Sequence, residues 1–372
     1  MRKAFICPTK YVQGENELLN LGYFVKTFGK KALLIADPFA LNLVKEKLEA
    51  TQAKYGVEFV TSDIFKGECS RTVVKALQEF AKANKCACTI GLGGGKAIDT
   101  SKCVAAGNPL IICPTIAATD APTSHSAVLY TDDHEFDDYA YFRQSMGDAL
   151  STYFEARANV NSVSNVNAGL PCGADRKKGT LLGYGTYTAA ALAELCYKNL
   201  LSDGAKAKTA CDCNVVTPAL EKIVETNILL SGLGFESGGL AAAHAIHDGL
   251  TAVHDIHACC MHGEIVAFGT ICQLVLENSP EEELYEVLNF CDEIGLPVCL
   301  HDLMTNPRTG EVIREELTEE EYKIVAAKTC IPDESIHNMP FPVTEDMVIA
   351  AIKAADKLGH DFRYGCDCEC CH

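Results

Sequence analysis

Five histidines fall close together in this chain: His244, His247, His254, His257 and His262, the last opening the run His262-Gly263-Glu264. His244 and His247 stand three apart, so on a helix they share a face, and His262 can return from a following element to join one of them. Imidazole nitrogens grouped in this way suit zinc or iron. The alternative is a polar helix surface. Against it stand the small residues around His244, in Gly238-Gly-Leu-Ala-Ala-Ala-His244-Ala-Ile-His247, which belong to a buried helix packed closely on its neighbours. A third ligand would be a carboxylate from elsewhere. Asp148, in Met146-Gly-Asp-Ala-Leu-Ser-Thr-Tyr-Phe-Glu155, is the best-placed acid, inside an otherwise apolar helix start. The same position can equally be a charge that suits a helix N-terminus.

A second group of residues can hold phosphate. Gly91-Leu-Gly-Gly-Gly-Lys96-Ala-Ile-Asp99-Thr-Ser-Lys102 follows an apolar run and opens a helical one. Successive glycines let backbone approach a diphosphate, and the free N–H groups at the helix start face its charge. The run is neither a Walker loop nor a spaced G-x-G-x-x-G fingerprint, and a glycine-rich turn by itself can be an ordinary tight loop. Asp37 stands at the end of an early apolar run, where a carboxylate can accept from a ribose hydroxyl and repel a 2′-phosphate, which favours NAD over NADP. It can equally cap the next helix.

These residues need elements to carry them. Residues 31–37 read as a strand, followed by a helix to about Tyr55 with Leu41, Val44 and Leu48 on one face. The pattern recurs as strand 57–60, helix 70–84 (Val73, Val74, Leu77, Phe80), strand 86–92, helix 96–106 and strand 110–113. Such alternation predicts a parallel sheet with helices on both faces. After about residue 147 the chain turns to Ala/Leu-rich helical stretches such as 187–201 and 218–230. We therefore expect two domains: a Rossmann-like α/β domain over 1–146 that binds the nucleotide, and an all-α domain over 147–372 that binds the metal. The stretch 159–185, rich in Asn, Gly and Ser, reads as an inserted loop.

The bulk numbers exclude other classes. At 372 residues the chain suits two domains. Its 48% apolar and 22% charged content rules out disordered and fibrous classes. The net charge of −18 is spread along the chain and repels phosphate backbones and anionic lipid, so neither nucleic acid nor membrane is an expected partner. Met1-Arg2-Lys3 leads into no cleavage site, and no apolar run is long enough to span a bilayer, so the expected compartment is the cytoplasm. The twenty cysteines are scattered, with Cys88, Cys113 and Cys272 inside apolar runs, and read as reduced thiols. The tail Cys366-Asp-Cys368-Glu-Cys370-Cys371-His372 has soft-ligand density but no second cysteine pair at zinc-finger spacing, and reads as a flexible, reactive terminus.

Taken together, these blocks resemble the glycerol dehydrogenase branch of the iron- or zinc-dependent group III alcohol dehydrogenases, which have the dehydroquinate synthase-like fold. The resemblance runs through the glycine turn, Pro114-Thr-Ile-Ala-Ala-Thr-Asp120-Ala-Pro-Thr-Ser124, Gly147-Asp148-Ala-Leu-Ser-Thr-Tyr-Phe-Glu-Ala-Arg157, Ser231-Gly-Leu-Gly-Phe-Glu-Ser-Gly-Gly-Leu240, His262-Gly-Glu and His337-Asn-Met-Pro-Phe-Pro342. It implies a cytoplasmic homo-oligomer, an octamer, that oxidises glycerol and related 1,2-diols with NAD and one divalent metal, zinc first and iron second. It further implies that Asp148, His244 and His262 are the metal ligands and that Asp120 touches the substrate. Asp37, Gly93, Gly94, Gly95, Lys96, Ala97, Thr115, Ala118, Ser124, Ser126 and Tyr130 are the implied cofactor contacts. His247 is not carried over as a ligand and is expected beside the site. Two imidazoles and one carboxylate leave a +2 ion with a net charge near +1 and an open position, where an alcohol becomes an alkoxide and passes hydride to the nicotinamide, giving dihydroxyacetone from glycerol.

The sequence also departs from that branch. Between Tyr130 and Asp148 the branch has a further strand and helix, whereas here Phe136-Asp-Asp-Tyr-Ala-Tyr-Phe-Arg-Gln-Ser145 runs straight into Met146-Gly147-Asp148, shorter by about twenty residues. Ser126, in His125-Ser126-Ala127, replaces an apolar cofactor contact. These departures motivate a rival reading, a catalytically impaired relative that only binds nucleotide or metal; a dehydrogenase of another small diol is the nearer alternative. A cousin acting on a phosphorylated substrate would need basic residues around the histidines, and these are few.

Overall fold

The computed structural model describes residues 10–105, 107–115, 121–123, 142–161, 186–306, 309–332 and 334–365. The chain divides into two compact units, one within Pro8–Tyr139 and one containing Ala140–His372.

The first unit runs α1 (Leu21–Phe28), β1 (Lys31–Ala36), α2 (Pro38–Leu43), α3 (Lys45–Tyr55), β2 (Glu58–Val60), α4 (Arg71–Ala83), β3 (Cys88–Gly93), α5 (Gly95–Ala105) and β4 (Leu110–Pro114). Its strands pair in parallel in the order β2-β1-β3-β4. Alternation along β1 decides what each face buries. Ala32 and Leu34 pack with Cys88, Ile90, Leu21, Val25 and Leu48, while Leu33 and Ile35 pack with Leu77, Ala97 and Val104. The sheet is thus covered on both faces, as its near-continuous apolar strands require. One difference lies after β1: the single helix expected to Tyr55 is broken at Val44, whose φ of −118° and ψ of 12° leave the helical region. The register sets Ala36 of β1 beside Leu92 of β3, so Asp37 and the glycine turn leave the same end of the sheet side by side.

The second unit is helical: α6 (Phe142–Asn161), α7 (Tyr187–Asp212), α8 (Pro218–Glu225), α9 (Ser231–Gly238), α10 (Ala242–Leu250), α11 (His254–Cys259), α12 (His262–Leu276), α13 (Glu281–Ile294), α14 (Leu300–Leu303), α15 (Glu319–Thr329) and α16 (Glu345–Tyr364). Among the described residues its extended pairing is one isolated bridge, Thr305 with Val312. The stretch expected as one helix over 218–230 is α8 followed by a π turn, Thr226–Leu230. Helix α6 starts before the boundary expected at 146/147 and continues through 159–161, so the first three residues of the expected 159–185 insertion are helical; 162–185 and the cysteine-rich tail lie outside the described residues. The described cysteines are free thiols. No helix among the described residues is long and apolar enough to cross a membrane.

Helix α12 is the axis of this unit, buried on all sides over 263–274. It shares its apolar core with Leu150 and Phe154 of α6, Ile246 and Leu250 of α10 and Ile352 of α16. Two glycines let backbone meet backbone. A Cβ on Gly147 of α6 would fall 2.3 Å from the carbonyl oxygen of Gly263, and one on Gly269 would fall 2.4 Å from that of Ala243 in α10. Arg157 then clamps the far end of α6, with Nη1 donating to Glu283 Oε1 (2.6 Å) and Nη2 to Glu277 Oε2 (3.0 Å).

Gly269→Ala forces α10 and α12 apart and is expected to lower stability by about 1–3 kcal/mol. Gly14→Ala, where a Cβ meets nothing within 4 Å, should stay within about 0.5 kcal/mol. Urea midpoints check both, and equal midpoints for Gly269→Ala and the parent chain would refute the close contact.

Candidate functional site

The glycine contact between α6 and α12 sits one residue from chemistry on each side: Gly147 precedes Asp148 and Gly263 follows His262. Across the second contact, Ala243 precedes His244. The three side chains meet. Asp148 Oδ1 lies 3.2 Å from His244 Nε2 and 3.4 Å from His262 Nε2, and one ligand atom from each residue lies within 4.8 Å of the others. Asp148 thus stands with both histidines, while most of the shortened connection ahead of it lies outside the described residues. His254 and His257, in α11, are exposed and do not join this group.

The opposite ring nitrogens are engaged elsewhere. His244 Nδ1 is 2.7 Å from Glu155 Oε2, and Glu155 Oε1 accepts from the backbone N–H groups of Ala241 (2.8 Å) and His244 (3.0 Å). Glu155 is wholly buried, so one carboxylate both satisfies the start of α10 and orients the imidazole. His262 Nδ1 is 3.0 Å from His247 Nε2, and His247 Nδ1 is 2.9 Å from Asp248 Oδ1. His247 thus lies beside the three-residue group.

Charge and burial shape this cluster. Burial alone would raise the pKa of Asp148, but the bonds to His244 and His262 outweigh it and hold the carboxyl well below its usual range. Burial disfavours charged His244, yet Glu155 and Asp148 together raise its pKa well above the ordinary value. Burial, with a smaller contribution from the neighbouring His262, lowers His247 to about 4. Two carboxylates around one imidazole make a field that favours a positive charge at this point.

In the other unit, the turn after β3 is built for close approach. Gly93 has φ of +147°, and a Cβ there would crowd Ala97 Cβ at 3.0 Å and Asp37 Oδ2 at 3.3 Å. Gly95 opens the eleven-residue α5, and a Cβ on it would meet nothing within 4 Å. Thr115 N–H donates to Gly93 O at 3.1 Å. Lys96 is paired with Glu68, and Ala97 is buried against the sheet. Asp37 does cap α2, Oδ1 accepting from Ala40 N–H at 2.8 Å, while Oδ2 faces the glycine turn. Both readings of this residue are therefore sterically compatible. Ala118, Asp120, Ser124, Ser126 and Tyr130 lie outside the described residues.

Sequence reasoning missed Glu155. Its signal was present: seven residues, two helical turns, separate it from Asp148 on one face of α6. A Glu155→Gln side chain cannot accept at all three N–H groups without turning its own NH₂ toward one of them. We expect the variant to unfold at a lower urea concentration, by about 1–3 kcal/mol; an unshifted midpoint would show that His244 and the start of α10 are held by other means.

The sequence pattern of the iron-containing alcohol dehydrogenases matches residues 8–147. An Escherichia coli glycerol dehydrogenase is 41% identical over 386 aligned residues, covering 97% of this chain and 99% of that protein. The glycolaldehyde reductase of Halobacterium salinarum is 36% identical, covering 98% of this chain and all of that protein. The crystal structure of the Schizosaccharomyces pombe glycerol dehydrogenase superposes with a TM-score of 0.83 at 33% identity, covering 97% of this chain and 92% of that one. On this likeness across nearly its whole length, the chain belongs to the iron-containing alcohol dehydrogenases, within their glycerol dehydrogenase branch, and is an oxidoreductase of that type.

Proposed function

We propose that the chain oxidises glycerol and related 1,2-diols with NAD, giving dihydroxyacetone from glycerol, at a zinc or iron ion held by Asp148, His244 and His262. The observation that carries this reading is the convergence of Asp148 Oδ1, His244 Nε2 and His262 Nε2. The donor set fits a small divalent ion. Tetrahedral ligands at ~2.0–2.1 Å from such an ion stand about 3.3 Å apart, and the carboxylate oxygen here is 3.2 and 3.4 Å from the two imidazole nitrogens. When bound, the ion supplies Lewis acidity that lowers the pKa of an alcohol oxygen.

The chain's own residues do the rest. Asp148 offsets one unit of the ion's charge, and the neutral imidazoles leave the remainder to act on the substrate. Glu155 holds the Nδ1 hydrogen of His244, so its Nε2 lone pair faces the centre. In the first unit, the open start of α5 at Gly95 suits the diphosphate of a dinucleotide, whose nicotinamide supplies the hydride acceptor. Asp37 Oδ2, on the glycine side, suits a ribose hydroxyl and repels a 2′-phosphate, which supports NAD over NADP. Asp120 is the proposed acid contact for the second hydroxyl of the diol.

Chelation of the purified protein should abolish NAD reduction with glycerol and 1,2-propanediol, and added Zn²⁺ or Fe²⁺ should restore it; His244→Ala should lose activity that neither ion restores. A metal-loaded protein that binds NADH but turns over no diol, and does not reduce glycolaldehyde, would overturn the reading in favour of a binding-only relative.

A further inference from the structure

We propose that His247, anchored by Asp248, is a positioning residue for the metal centre: it selects the tautomer of His262 that presents Nε2 to the ion, and thereby sets how tightly the ion is held. The inference rests on the metal reading above. His262 is the weakly enclosed member of the three, its side chain 47% exposed against 11% for His244 and 13% for Asp148. It opens α12, ahead of the buried stretch 263–274. Among the described residues its Nε2 faces Asp148 Oδ1 and its Nδ1 faces His247 Nε2.

Donor and acceptor capacity then decides where each proton sits. An ionised carboxylate only accepts. Asp248 Oδ1, 2.9 Å from His247 Nδ1, can accept only where the His247 proton sits on Nδ1, an arrangement that leaves Nε2 as the acceptor. That bare nitrogen, 3.0 Å from His262 Nδ1, can only accept, so His262 carries its own proton on Nδ1. The Nε2 lone pair of His262 is then free and aimed at the position shared with Asp148 and His244. The opposite tautomer of either ring sets two N–H groups or two lone pairs against each other. The rings also meet edge to face, with centroids 4.3 Å apart and planes at 70°, which resists rotation of His262. His244 is oriented differently. Its carboxylate partner, Glu155, is wholly buried and also satisfies backbone N–H groups, so its orientation is inseparable from the fold. Among the described residues no backbone N–H is donated to the side chains of His247 and Asp248, so this pair acts on one imidazole of the proposed site.

Two amide variants separate this role from simple packing. The carboxamide of Gln reaches the position of an imidazole Nε2, and that of Asn the position of Nδ1. His247→Gln keeps an acceptor for His262, whereas His247→Asn keeps only the contact to Asp248. Zn²⁺ affinity is read by competition with a chromophoric chelator, ligand geometry by the visible absorption of the Co²⁺-loaded protein, and folding by thermal unfolding of the metal-free variants. His247→Asn is expected to weaken Zn²⁺ binding about 10–100-fold and to alter the Co²⁺ spectrum, while His247→Gln retains affinity within a few-fold and the parent spectrum. Equal losses in both variants, or no loss in either, overturn the proposal. His244→Ala in the same assay tests the underlying reading separately: if it binds Zn²⁺ as tightly as the parent chain, the ion lies elsewhere and the metal assignment itself falls.

Discussion

The centre depends on backbone contact along one buried helix. Helix α12 touches α6 through Gly147 and Gly263 and touches α10 through Gly269 and Ala243. With a side chain at either crossing, the helix axes would move apart by more than a coordination site can absorb. Each contact lies beside one of the converging side chains, so the spacing of the helices also sets how closely Asp148, His244 and His262 approach. The convergence of these three side chains is therefore a consequence of packing, and α12 is held from several sides by the apolar core of its unit.

The polar groups around the centre show the same economy. Buried Glu155 serves the start of α10 and one imidazole at once, and Gln273 of α12 accepts from Ala243 N–H at 2.9 Å, next to the second glycine contact. Buried polar atoms here join helices to one another or close a helix's own start, as Gln273 and Glu264 do in α12, Glu264 Oε2 accepting from Met261 N–H at 2.9 Å.

Much of this was legible in the sequence, for local reasons. Strand and helix alternation in the first unit follows from periodicity, and the small residues around His244 announced a close crossing without naming what it crosses. That partner is a tertiary matter: nothing local says that Gly147 lies under Gly263. Asp37 was read both as a cap and as a ribose contact, and its two oxygens divide accordingly, one on Ala40 and one toward the glycine turn. The break at Val44 was not legible, because Leu41, Val44 and Leu48 keep a helical spacing across it and all three still face one core. Glu155 was passed over because a carboxylate inside an apolar helix reads as an exception until its three N–H donors are seen. The residues around Asp120 are tied to function by resemblance alone.

All three residues of the centre belong to a single compact unit, the one containing Ala140–His372. Occupancy is therefore linked thermodynamically to the folding of that unit. An ion present at a hundred times its dissociation constant adds about 2.7 kcal/mol to the stability of the state that binds it, and here the residues proposed to bind it all lie in the helical unit. The sheet unit has cores of its own on its two faces. The residues proposed to hold the ion and the glycine turn proposed to hold the nucleotide thus belong to different compact units of the chain.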